Sequence, residues 1–133
     1  MTSVNDTQIG GSHYKSLQYE HWDFASDIYG SDHYLKGCCT KYLVRWKDKN
    51  GIEDLKKSYH YLQKLIEKSG NMDNIHIPND FFAILSKFVS QLPSKEADIV
   101  YSVYTNNFKS AKKDLEELIR VNSKIIIHRS TAE

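Results

Sequence analysis

The sequence predicts an all-α protein: a helical hairpin core followed by a C-terminal helical extension, assembled as an oligomer. Three observations predict it. Apolar residues recur at helical spacing on both sides of Asn50-Gly51. Three further amphipathic segments follow Pro78, separated by Pro93 and by Asn106-Asn107. Their apolar rows exceed what one hairpin covers, so they either close over it as a bundle or meet another copy of the chain.

The elements follow in order. Residues 1–9 are polar and read as a loosely held arm, 10–69 as a module built on the hairpin, and 70–133 as the extension. Gly10 and Gly11 precede Ser12, His13 and Tyr14, a turn with backbone N–H groups able to wrap a phosphate, or else a plain linker. Residues 20–28 read as a short helix whose Trp22 serves either as core or as a stacking platform for a base. Tyr29-Gly30-Ser31-Asp32 breaks it, with Ser31 or Asp32 capping the next helix.

In the first arm of the hairpin, Tyr34, Leu35, Cys38, Cys39, Tyr42 and Trp46 share helical spacing, and Asn50-Gly51 is expected to end the helix. Ile52, Leu55, Tyr59, Leu62 and Ile66 line the second arm, with Glu53 and Asp54 in the first turn, where the helix dipole favours negative charge. Gly, Asn and Asp between Ser69 and Pro78 mark a boundary. Asn79 or Asp80 caps a helix running through Phe81 to Leu92; Ser94 and Asn107 open two more. Lys124 to His128, KIIIH, reads equally as an edge strand or a helix end.

Composition narrows the function. Eighteen Lys and Arg against seventeen Asp and Glu leave a formal charge of +1 over 133 residues, so no bulk field draws the chain to DNA, RNA or a membrane. Neither a signal core nor a membrane-length apolar run is present, which points to the cytoplasm. The adjacent Cys38 and Cys39 are expected as reduced thiols, and no CxxC or HxxxH spacing supports a metal. No Walker loop, GxGxxG, HExxH or nucleophile elbow occurs.

An anion site must therefore be local. Lys41 and Arg45, four apart, are neighbours on one helix surface, either a solvated basic face or two sides of an anion. Lys36, Lys47 and Lys57, with nearby Tyr rings and His13, add cations able to grip phosphates, Arg as a planar fork and Lys as a point charge. Asp54 is either an ordinary first-turn residue or a group for metal or substrate.

The order Ser12-His13-Tyr14, Gly37, Lys41-Tyr42, Arg45, Lys47, Glu53-Asp54-Leu55, Lys57 and Tyr61-Leu62 resembles a small phage protein family long classed as of unknown function. Its best-known member is a podovirus early-gene nucleotide kinase without a Walker motif. The resemblance spans Gly10 to Lys68; Cys38 stands where that family usually has Asn, and Ser58 where it has Ala. It implies a nucleotide ligand, a functional role for Ser12, His13 and Tyr14, and the cytoplasm of an infected host cell.

Two functions follow. The first is a non-enzymatic sponge, a homo-oligomer with a tetramer or larger among the options, that sequesters a cyclic nucleotide immune signal without a cofactor. The second is a nucleoside monophosphate kinase, which would require ATP and Mg2+. The binding residues expected are Ser12, His13, Tyr14, Trp22, Lys41, Arg45, Lys47, Asp54 and Lys57. Arg45→Ala is expected to abolish binding and leave helicity unchanged.

Overall fold

In the computed structural model the described residues form helices and no strand. The structure describes residues 31–69 and 80–132, together with Val4, Ile9, Tyr19, His21 and Phe24. Five helices follow one another among these residues: α1 (Ser31–Arg45), α2 (Ile52–Lys68), α3 (Phe81–Val89), α4 (Ser94–Tyr104) and α5 (Phe108–Ala132). Ser12, His13, Tyr14 and Trp22 lie outside the described residues, as does most of the expected helix at 20–28, of which His21 and Phe24 have helical backbone.

α1 and α2 pack antiparallel, as contacts between Cys39 and Ser58 and between Arg45 and Asp54 require. α1 ends at Arg45, short of the Asn50-Gly51 stop that the sequence suggests. A turn through residues 46–51 intervenes, closed by the Gly51 N–H donating to the Trp46 carbonyl at 2.8 Å. Gly51 takes φ 62° and ψ −131°, a conformation open essentially to glycine alone. The end of this turn is tied to α2 by Asp54, whose carboxylate accepts the Asn50 backbone N–H at 3.1 Å.

One hydrophobic core joins the hairpin to the C-terminal helices. Leu35, Cys39 and Leu43 of α1 and Leu55, Leu62 and Leu65 of α2 pack with Ile99, Val100 and Val103 of α4 and Ala111, Leu115 and Leu118 of α5. The expected extension therefore closes over the hairpin as a bundle. Polar contacts reinforce the joint. Trp46 Nε1 donates to the buried Glu96 at 3.1 Å, and Lys36, itself buried, bonds Asp32 and the side chain of Asn106. Asn106 sits in the turn between α4 and α5 at φ 62°, a left-handed conformation in which Asn is enriched among non-glycine residues. Lys36, counted among cations for phosphate, is thus used internally, its ammonium also lying over the Tyr104 and Phe108 rings.

α3 is the exception to this burial: of its side chains only Leu85 is fully covered. The stretch Lys124 to His128 has helical backbone within α5, which settles the choice between strand and helix. Among the described residues no helix is long and apolar enough to cross a membrane.

Candidate functional site

α1 has three working faces, because residues three and four apart stack along a helix. Leu35, Cys39 and Leu43 point into the core. His33, Gly37, Thr40, Lys41 and Val44 line a groove against α3, and Tyr34, Cys38, Tyr42 and Arg45 form the third face. That third face meets α2 and is the densest cluster of aromatic rings and cations among the described residues.

Its centre is Tyr42. The ring stacks on Tyr61 with centroids 5.7 Å apart and planes 10° from parallel. The Arg45 guanidinium carbon lies 4.5 Å from the Tyr42 centroid, and the Lys57 ammonium 5.5 Å from it. Both cations are within cation–π range, and both side chains remain partly open to solvent. Lys57 also pairs with Glu53 at 3.6 Å, a surface contact of small energy.

Arg45 is held from behind. Its Nε and Nη2 donate to the two Asp54 oxygens, each at 3.3 Å, the fork geometry that suits a carboxylate. Asp54 is fully buried, and each of its oxygens also accepts a bond from Asn50, one from the backbone N–H and one from the side-chain amide. Burial alone raises the Asp54 pKa; the Asn50 N–H and the hydrogen bonds and charge of Arg45 outweigh it and hold the carboxyl below its ordinary value. Asp54 therefore sits behind Arg45 rather than against a ligand. Its lone pairs are committed to Arg45 and Asn50, which leaves none facing a metal or a phosphate. Arg45 keeps its Nη1 donors for an anion, with the guanidinium plane fixed by Asp54 and Tyr42.

The other expected residues fall elsewhere. Lys41 is exposed on the edge between this face and the groove, and Lys47 is exposed in the turn, its ammonium 5.6 Å from the Trp46 ring. The structure brings together Arg45, Asp54 and Lys57, adds Tyr42 and Tyr61, and leaves Lys41 and Lys47 at the margin. Tyr42 was legible as a member of the buried row; its stacking on Tyr61 and its contacts with Arg45 and Lys57 were not, because spacing cannot say which of two neighbouring helices a ring will lie on.

The thiols do not supply a nucleophile. Burial pushes Cys39 up to about 12, and its sulfur contacts Ser58, whose hydroxyl donates to the Cys39 carbonyl at 2.7 Å. Burial also raises Cys38, which lies beside Tyr34 and Tyr61, and pushes Tyr34 up to about 12. At neutral pH these groups are protonated, so neither thiol is activated as a nucleophile. Among the described residues no three of His, Cys, Asp and Glu gather as metal ligands.

Two of the described N-terminal residues touch the same hairpin. His60 Nε2 donates to the Val4 carbonyl at 2.9 Å, and His21 shares a hydrogen bond of 3.3 Å with the Tyr34 hydroxyl. Val4 and His21 flank the Ser12-His13-Tyr14 stretch in the chain.

A concavity of about 520 Å³ lies between α1 and α3, floored by Val44, Phe81, Leu85 and Phe88, with Lys41 and His33 at its rim. Gly37 opens onto free space there: a Cβ added to it would meet nothing within 4 Å.

No curated protein and no solved structure matches the chain. Residues 9–63 match the model of a family described as a protein of unknown function, DUF3310. Tyr42, Arg45, Asp54, Lys57 and Tyr61 all fall inside that stretch, so the part of the chain that carries the cluster is the part similar to this family.

Proposed function

We propose that this chain binds a nucleotide on the Tyr42 face of the hairpin and, as a homo-oligomer, sequesters a cyclic nucleotide signal in the cytoplasm of a phage-infected cell without turning it over. The observation that carries the reading is the Tyr42–Tyr61 stack flanked by Arg45 and Lys57. A base would pack against this ring pair, and a phosphate would meet an oriented guanidinium beside the Lys57 ammonium. Binding without turnover is favoured over phosphoryl transfer because Asp54, the carboxylate nearest the cations, has both oxygens engaged by Arg45 and Asn50. Ser12, His13 and Tyr14 are proposed to contribute to the same site, a reading supported by the contacts that Val4 and His21, on either side of them in sequence, make with the hairpin.

The test is retention. The purified protein is incubated with mononucleotides and cyclic nucleotides, with and without ATP and Mg2+, washed, and heat-denatured, and the released ligand is analysed. A ligand retained and released chemically intact is expected. Lys57→Ala should weaken its binding about tenfold, the loss of one charge-assisted contact, with an unchanged circular dichroism spectrum. A new diphosphate formed only with ATP and Mg2+ would replace sequestration by a kinase, and retention of nothing would sink both.

A further inference from the structure

α3 has the composition of a buried helix and the exposure of a surface one. Its nine residues, FFAILSKFV, include one charge, Lys87, yet Phe82 is 60% exposed, Ile84 57% and Phe88 39%. A helix apolar on nearly every side is normally covered on nearly every side. Leu85 and Val89 face the bundle, and the flank beside them, which borders the groove with α1, carries Asp80, Ile84 and Phe88 at i, i+4 and i+8, with Lys87 next to them. Asp80 and Lys87 are both exposed, and neither makes an ion pair among the described residues.

That pattern is self-complementary. When two copies of a helix pair antiparallel about a two-fold axis, a residue before the centre faces one at a similar distance after it. With Ile84 at the centre, Asp80 of each copy falls opposite Lys87 and Phe88 of the other. Two Asp–Lys pairs then flank an apolar middle formed by Ile84 of both copies, with a Phe88 ring beside each pair, and no like charges meet. The geometry points to α3 as a two-fold homodimer interface, with the second copy lying across the mouth of the groove between α1 and α3. This goes further than sequestration by naming the surface of self-association. It rests on α3 alone, which shares no residue with the Tyr42 face.

Size sets the strength. A helix of nine residues is about 14 Å long, so a pair of them buries less than a standard interface of about 1,600 Å², and micromolar rather than nanomolar association is expected. Sedimentation equilibrium of the full chain up to about 300 µM is the measurement, a range chosen to bracket a micromolar Kd. The wild type should dimerise; Ile84→Lys should be monomeric with unchanged helicity; Asp80→Lys and Lys87→Asp should each weaken the dimer at least tenfold. The double variant Asp80→Lys with Lys87→Asp should restore it, since exchanging both charges recreates both pairs. A monomeric wild type, or a dimer indifferent to Ile84→Lys, overturns the interface, and a double variant no better than either single one overturns the antiparallel pairing. Nucleotide retention measured on Ile84→Lys separates the two proposals: a monomer that still holds ligand leaves the binding site standing, and a ligand-free dimer leaves the interface standing.

Discussion

Truncation after Ser69 is expected to leave an unfolded chain, even though residues 9–63 match a family model. The hairpin contributes Leu35, Leu43, Leu55, Leu62 and Leu65 to a core whose other half is Ile99, Val100, Val103, Ala111, Leu115 and Leu118. Removing that half exposes the leucines it covers. Each buried aliphatic side chain is worth about 1.5–3 kcal/mol, so the loss is roughly 10 kcal/mol or more, comparable to the whole stability of a small domain. Residues 1–69 should give a coil-like circular dichroism spectrum and no cooperative melt, whereas the full chain gives both helicity and a single transition. A folded, cooperative fragment would mean that the hairpin is its own domain and that the shared core is dispensable.

Asp54→Ala is the point substitution with the largest expected effect. It removes a fully buried carboxylate, four hydrogen bonds and the charge partner of Arg45. Breaking such a pair from one side costs about 3–5 kcal/mol, and because the Arg45 side chain keeps some exposure the lower end, about 3 kcal/mol, is expected from urea unfolding. A loss below about 1 kcal/mol would show that the turn does not depend on this carboxylate. The same group sets an acid limit. Its folded pKa lies below the ordinary carboxylate value of 3.8, so the unfolded state binds more protons near that pH. The Asp54 contribution is full above the ordinary value and is lost as pH falls through the depressed one. Asp54→Asn should therefore be less stable than the wild type near neutrality, and the gap between the two should narrow below about pH 4.

This pairing also changes what Arg45→Ala reports. From the sequence, that substitution was expected to separate binding from folding. In the structure it leaves a buried carboxylate with Asn50 alone, so stability and binding should fall together. Lys57→Ala, whose partners are a surface glutamate and the face of a ring, is the cleaner probe.

Much of the fold was legible because breakers and caps act locally. Gly51, Pro93 and Asn107 mark helix limits through backbone preferences that do not depend on tertiary context, and the observed helices begin at Ile52, Ser94 and Phe108. The end of α1 was not legible: it stops at Arg45, and a turn through residues 46–51, tied to α2 by the Asp54 carboxylate, lies between it and the expected Asn50-Gly51 stop. The candidate site was legible as an inventory: Arg45, Asp54 and Lys57 were all singled out. Their division of labour was not. Whether Asp54 faces outward or back toward Arg45 depends on how α1 and α2 rotate against each other, and one-dimensional spacing carries no such angle. Lys36 shows the same limit, since its burial under Asn106 joins groups 70 residues apart.

The three faces of α1 carry an implication for how this chain tolerates change. The described side chains of α1 divide among the core, the aromatic–cationic face and the groove, so hardly any of them looks only at solvent. In a saturation library scored for folding together with ligand retention, α2 should show a helical rhythm of sensitive and permissive positions. α1 should show a nearly flat profile in which almost every position resists substitution, each for a different neighbour's sake. Such a helix has little room to drift neutrally, and its sequence should change only in step with the partners on all three sides.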